Sequence, residues 1–282
     1  MKPPPFAYMR PGTLEEAASQ LRADRGAMLL AGGQSLVPML NLRVARPTTV
    51  VDISSIEGLD AIDIGPEQVR IGALVTHSQI ENHEWPASLS ALPAGAGQIG
   101  YPAIRHRGTI GGSLAHADPA AELPTLMVAL DATIHLQSED GRRSVGADDF
   151  FEGYYSTSRN EDELISYVNL PLASGLRSGF AEFSRRTGDF AIALAAVATW
   201  GSDGRKQARV AVGGLDTRPR RVTAIEAALI EGDDWKELCT AEVLSSFTDP
   251  SDDIHGSPRF RLEVGAEMVA RAIADMGGEV LR

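Results

Sequence analysis

Cysteine is nearly absent: Cys239 is the only one in 282 residues. A single thiol forms no internal disulfide and completes no Cys-x-x-Cys metal site. It also excludes an iron–sulfur cluster held on this chain's own thiolates. Basic residues are the minority, 26 Lys and Arg against 38 Asp and Glu, for a formal charge of −12. No basic stretch is interleaved with aromatics, which argues against nucleic acid, whose phosphates want a basic stripe. Long apolar runs are missing too. The longest, residues 190–201, is about a dozen residues, short of the ~20 a spanning helix needs. The opening Met-Lys-Pro-Pro-Pro lacks the apolar core of a signal peptide. A hydrophobic fraction of 43% with 23% charged residues is that of a soluble folded protein. The expectations are a cytoplasmic chain of about two domains, with no transmembrane segment and no nucleic-acid partner.

Glycine is what the chain has in excess. There are 28, some of them paired at Gly32-Gly33, Gly111-Gly112, Gly213-Gly214 and Gly277-Gly278. Around them the pattern alternates between helix and strand. Thr13-Leu14-Glu15-Glu16 is a capping box opening a helix with Leu14, Ala17, Ala18 and Leu21 on one face. Residues 27–31 predict a buried strand ended by Gly32-Gly33, residues 36–42 a short helical turn, and 49–53 a strand. Runs at 62–64 and 69–71 around Gly65-Pro66-Glu67-Gln68 predict a hairpin. Residues 94–113, rich in glycine, predict an irregular but ordered functional segment. A helix at 120–130 and strands at 133–137, 164–170 and 180–185 follow. Pro171 to Gly175 reads as a boundary. Beyond it come a hairpin over 200–212 turning at Ser202-Asp203-Gly204, and helices at 222–230, 235–247 and 258–276.

Two of the glycine pairs sit in segments suited to an anion. One is Gly32-Gly33-Gln34-Ser35; the other is Arg107-Gly108-Thr109-Ile110-Gly111-Gly112-Ser113. Glycine admits positive φ and close backbone approach, and successive N–H groups in such turns can form an anion-binding nest. Ser35, Thr109 and Ser113 add hydroxyls, and Arg105 and Arg107 add positive potential. Two such loops could clamp a pyrophosphate, although a lone Gly-Gly after a strand is more often a plain tight turn. Neither carries the G-x-G-x-x-G or G-x-x-x-x-G-K-[ST] spacing of the common nucleotide loops.

The wider blocks carry a resemblance. Ala31-Gly32-Gly33-Gln34-Ser35-Leu36 followed by Pro38-Met39, the stretch from Gly100-Tyr101-Pro102 through Gly111-Gly112-Ser113-Leu114, Ala117-Asp118-Pro119-Ala120-Ala121-Glu122-Leu123-Pro124, Phe183-Ser184-Arg185-Arg186-Thr187-Gly188-Asp189-Phe190-Ala191 and Asp253-Ile254-His255-Gly256-Ser257 stand in order along the chain. Together they resemble the FAD-binding medium subunit of molybdenum hydroxylases, most closely the medium chain of aerobic carbon monoxide dehydrogenase and its aldehyde- and heterocycle-oxidising relatives. The resemblance implies an α+β fold: a two-lobed FAD-binding domain of the p-cresol methylhydroxylase or vanillyl-alcohol oxidase type over 1–174, with lobes of about 1–55 and 56–174. A smaller α+β C-terminal domain would span 175–282.

The same resemblance places FAD between Ala31, Gly32, Gly33, Gln34, Ser35 and Leu36 on one side and Thr109, Ile110, Gly111, Gly112 and Ser113 on the other. It puts Glu122 near the ribityl chain, Ile99 and Ile165 at the adenine, and Phe190 by the isoalloxazine ring. On residue type alone Glu122 could be a first-turn carboxylate favoured by the helix dipole, and Ile99, Ile165 and Phe190 could be core. Gln34 stands where relatives often have histidine, and Ala181-Glu182-Phe183 where some place a lysine against the flavin. His106 and His116 lack metal-ligand spacing, so no metal is expected in this chain, nor a catalytic acid, base or nucleophile. The implied role is electron transfer. Partners would be a large molybdenum-cofactor subunit and a small [2Fe–2S] subunit in a dimer of heterotrimers, with an external electron acceptor. Alternatives are a self-sufficient FAD-dependent reductase resembling the enolpyruvyl-sugar reductases, or a non-catalytic FAD-binding assembly module.

Overall fold

Three main β-sheets follow one another along the chain in the computed structural model, which describes residues 1–201 and 205–277. The first is parallel, with Thr49–Asp52 between Ala7–Met9 and Met28–Leu30. Parallel neighbours need a crossover. Helix Leu14–Ala23 carries the chain from one edge strand to the other, starting where Thr13 accepts the Glu16 N–H and burying Ala17, Ala18 and Leu21, and helix Leu36–Asn41 carries it back to the central strand. The second sheet is antiparallel and runs Ile62–Ile64, Gln68–Gly72, Leu164–Pro171, Thr133–Ser138, Gly141–Gly146. The third is antiparallel as well: Arg177–Phe183, Ala193–Trp200, Gln207–Gly213, Arg220–Arg221. The fold is thus α+β, with two sheet-based lobes and a C-terminal sheet carrying the last helix, Pro258–Gly277.

The apolar run noted at 190–201 is explained by its place in the third sheet. Ala193, Ala195 and Val197 face a C-terminal core together with Val269 and Ile273 of the last helix. Leu194, Ala196 and Ala198 face the opposite way, into the largest core. A strand covered on both faces reads as continuous rather than alternating hydrophobicity. The largest core therefore crosses the expected boundary at 174–175: Phe180, Leu194 and Ala211 pack in one cluster with Ile71, Leu126, Ile134 and Val168. The first lobe has smaller cores of its own. One of them extends to the rest of the chain through Leu59, Leu74 and Leu164.

The expected hairpin at 62–71 forms, with Ile62, Asp63 and Ile64 opposite Ile71, Arg70 and Val69. Gly214, at φ +75°, ends strand Gln207–Gly213. Ser202-Asp203-Gly204 and Gly278 lie outside the described residues. Two expectations change. Residues 94–113 are mostly helical, in Ala91–Gln98, Pro102–Arg105 and Ile110–His116. Two of their glycines serve contact rather than irregularity: a Cβ on Gly95 would meet Leu126 Cδ1 at 2.5 Å, and one on Gly111 would meet Ala73 Cβ at 2.7 Å. The stretch 235–247 is not one helix. A 3₁₀ turn, Trp235–Leu238, gives way to Ala241–Ser245, because Thr240 caps a new start by accepting the Val243 N–H. Among the described residues no helix is long and apolar enough to cross a membrane.

Candidate functional site

Strand Met28–Leu30 runs out into Ala31 and Gly32, and Gly33 turns the chain at φ +75° into helix Leu36–Asn41. Gly33 and Ser35 carbonyls accept from Val37 and Met39, at 3.1 Å each, and so start the helical ladder. Among the described residues, the backbone N–H groups of residues 32–36 donate to nothing in the chain. The Ser35 side chain makes no capping bond either. Five successive donors and a hydroxyl are left open on one turn.

The second loop has the opposite character. Ile110 and Gly111 donate to Val75 and Ala73 carbonyls at 2.9 Å, Gly112 donates to Thr109 Oγ1 at 3.2 Å, and Ser113 to the Thr109 carbonyl at 3.0 Å. Its backbone is consumed in pairing with residues 73–77 and in starting helix Ile110–His116. The expected pair of N–H nests is therefore one nest facing a saturated wall that presents side chains. Gly32 marks where the two loops touch. A Cβ there would lie 1.8 Å from the Arg107 carbonyl oxygen and 2.9 Å from Gly108 Cα, so its glycine is required by the other loop rather than by a ligand.

Between the loops is a cavity of about 260 Å³. Ala31, Gly32, Gly33, Gln34, Ser35 and Leu36 line it from one side, and Thr109, Gly111, Gly112 and Ser113 from the other. Ile165 is in its wall with Leu29 and Met39. The remaining candidates are elsewhere. Ile110 is fully buried in the largest core. Ile99 caps helix Ala91–Gln98, its carbonyl accepting from Arg105 at 3.1 Å. Glu122 is buried at the start of helix Glu122–Ala129. Phe190 is 71% exposed, just before strand Ala193–Trp200.

The cations differ from expectation. Arg105 is spent on Glu81, at 2.7 Å, and on two carbonyls, and Arg107 is exposed. The lining guanidinium is Arg159 instead. Its Nη1 is tied to the Asn160 and Glu163 carbonyls at 3.0 and 2.6 Å, while its buried Nε has no partner. An open N–H row, an orphaned guanidinium donor and an apolar wall fit an anion attached to an apolar heterocycle, the chemistry of FAD.

Sequence reasoning also missed His77. It is buried in the cavity wall with Nε2 at 3.2 Å from the Thr109 carbonyl and 3.0 Å from Ser113 Oγ. Burial pushes its pKa down to about 4; the bond to Thr109 opposes this and the Arg105 charge adds to it. The available signal was the capping box Thr76-x-x-Gln79, which fixes the start of helix His77–Asn82. A second buried feature is a carboxyl pair. Burial pushes Glu182 up to about 7. Glu122 rises to about 8, first by burial and then through the charge of Glu182; a backbone hydrogen bond opposes this and Asp118 adds to it. Glu182 Oε2 has no hydrogen-bond partner.

Residues 4–173 match the family described as the FAD binding domain in molybdopterin dehydrogenase, and residues 178–276 the CO dehydrogenase flavoprotein C-terminal domain. The chain is 38% identical over 281 residues to the nicotine 6-hydroxylase medium subunit of Paenarthrobacter nicotinovorans, covering 98% of this chain and 99% of that one. A solved carbon monoxide dehydrogenase chain from Hydrogenophaga pseudoflava superposes with a TM-score of 0.92 at 34% identity, covering 100% of both chains. A chain of quinoline 2-oxidoreductase from Pseudomonas putida 86 does so at 0.89 and 34%, again covering 100% of both.

Proposed function

This chain belongs to the FAD-binding medium subunits of the molybdenum hydroxylase family, and we propose that it acts there as an electron relay, from [2Fe–2S] clusters on a partner chain to an external acceptor. FAD is its cofactor, and when bound supplies a centre that takes electrons singly or in pairs. The observation that carries the reading is the row of open N–H groups from 32 to 36, facing Ser113 and Arg159 across one cavity.

In this reading the first loop holds the pyrophosphate by backbone N–H groups, which stay donors at any pH and carry no side-chain entropy. Ser35 and Ser113 donate from hydroxyls, and Arg159 supplies the positive charge. Leu29, Met39 and Ile165 exclude water on the apolar side. Gly32 keeps the two loops in contact. Glu122, Ile99 and Phe190 are proposed to serve parts of the cofactor beyond this cavity. The chain then needs no acid, base or nucleophile of its own, because substrate is oxidised on a large molybdenum-cofactor subunit. A small [2Fe–2S] subunit is the second partner, since one cysteine leaves no cluster site here. The assembly is proposed to be a dimer of heterotrimers in the cytoplasm. Relatives named medium subunit or medium chain support the partners.

The test is reduction of the purified complex by its substrate, followed in the flavin absorption band. Bleaching that requires the partner chains is expected. Bleaching of the isolated chain by NADPH would replace the relay with a self-sufficient reductase, and a flavin reduced by neither would leave an assembly module.

A further inference from the structure

A hydroxyl beside a phosphate strengthens binding only when its proton, not its lone pair, points at the anion. We propose that His77 sets that polarity for Ser113: a neutral imidazole with its proton on Nε2 clamps the Thr109 carbonyl and occupies the acceptor side of the Ser113 hydroxyl, so that the hydroxyl donates into the cavity. The inference rests on the reading that this cavity holds the pyrophosphate of FAD. It makes His77 a positioning residue, acting on the ligand through Ser113.

Three observations fix the tautomer and the ring. The Thr109 carbonyl, 3.2 Å from Nε2, can only accept, so Nε2 carries the proton. Ser113 Oγ, at 3.0 Å from the same nitrogen, shares that donor. In the other tautomer the Nε2 lone pair would face the carbonyl oxygen and draw the serine proton away from the cavity. It would also bury a proton on Nδ1, which has no partner; an orphaned buried donor costs more than an under-used acceptor. The ring cannot swing away. A Cβ on Gly108 would lie 2.7 Å from His77 Cε1 and 2.9 Å from Nδ1, so the imidazole edge is packed on bare backbone. His77 is anchored through the chain as well. Its N–H donates to the Gly108 carbonyl at 2.9 Å, and Thr76 and Gln79 exchange hydrogen bonds of 2.8 and 3.2 Å next to it. One side chain thus joins the start of helix His77–Asn82 to both the backbone and the hydroxyl of the second loop.

The test is the FAD dissociation constant of the full chain, stripped of flavin and titrated by fluorescence quenching. Ser113→Ala should weaken binding about tenfold to a hundredfold, the worth of a hydrogen bond to a charged group. His77→Phe and His77→Asn should weaken it comparably, because Asn puts its amide at the Nδ1 position and leaves Nε2 empty. His77→Gln, whose terminal amide nitrogen falls at the same bond count as Nε2, should stay near wild type. In a Ser113→Ala background, His77→Phe should cost little more. Equal losses from His77→Phe with and without Ser113 would overturn the proposal by making His77 a general prop, as would a Gln variant no better than Phe. Weakening by Ser113→Ala with no effect of the His77 variants would also overturn it, while keeping the cavity as the pyrophosphate site. Unchanged affinity in Ser113→Ala would overturn the reading of the cavity itself.

Discussion

Glu122→Gln should change how stability depends on pH, not merely how large it is. Glu122 is 6% exposed, and its pKa is raised from 4.5 to about 8 by burial first and by Glu182 second. Between those values the folded chain keeps a proton that the unfolded chain has lost. Stability is therefore fully present below pH 4.5 and declines as pH rises toward 8. At ~1.4 kcal/mol per pH unit, the interval caps the cost of ionising Glu122 in the fold at about 5 kcal/mol. From pH 5.5 to 7.5 the decline is about 3 kcal/mol, or about 6–10 °C in melting temperature for a chain of this size. Glutamine keeps the shape and cannot ionise. Melting curves of the full chain at pH 5.5, 6.5 and 7.5 and constant ionic strength should show the variant losing markedly less than wild type across the series. Titrating groups remote from Glu122 contribute to both proteins and drop out of the difference, while Glu182, coupled to it, adds to the change in slope. Two parallel curves, with the variant offset equally at every pH, would refute the reasoning.

Gly32→Ala forces a Cβ to within 1.8 Å of the Arg107 carbonyl; the loops must part, and flavin content per chain should fall to near zero. Gly146→Ala, which meets nothing within 4 Å, should leave it unchanged. Arg261 is buried, bidentate to Asp253 at 2.8 Å and bonded to the Ile192 and Gly214 carbonyls at 3.0 and 3.2 Å. Arg261→Met takes this donor from the two carbonyls, while the exposed Asp253 keeps the His255 and Gly256 N–H groups, and should cost about 1–3 kcal/mol, read from chemical denaturation. Burial, then the charge of Glu267, pushes the Cys239 thiol up to about 12. Native protein should resist iodoacetamide at pH 7.5 and take up one label per chain only when unfolded, counted by mass spectrometry.

Much of the first loop is legible locally. A strand that ends on two glycines before Ser35 and a short helix announces a turn at positive φ with open donors, and that is what residues 31–36 form. The second loop misleads because its glycines answer to distant partners. Gly111 makes room for Ala73 and Gly108 for His77, contacts that no spacing within 107–113 reveals. The same holds for Gly32, whose constraint comes from a residue 75 positions later. His77 looks like a lone histidine after a threonine, and only the packed fold shows its nitrogen between a carbonyl and a hydroxyl. Glu182 alternates with apolar neighbours in its strand as a solvent-facing residue would. It shares the strand face that carries Phe180 into the largest core, and that placement half-buries it. The run at 193–200 hides its strand for a related reason: with both faces covered, it loses the alternation by which strands are recognised.

The large core that binds strands 177–213 to the second lobe has a consequence for how the cofactor comes and goes. That core makes the second lobe and the C-terminal sheet one cooperative block, while the first lobe is stitched on by a smaller cluster reaching Leu59, Leu74 and Leu164. The cavity lies along that seam, with one wall on each side. Local opening favours the boundary with the least buried apolar area. Opening of the first lobe there would part the two walls of the cavity and leave the block intact, so truncating Leu59, Leu74 or Leu164 should speed flavin release, read as the dissociation rate of bound FAD.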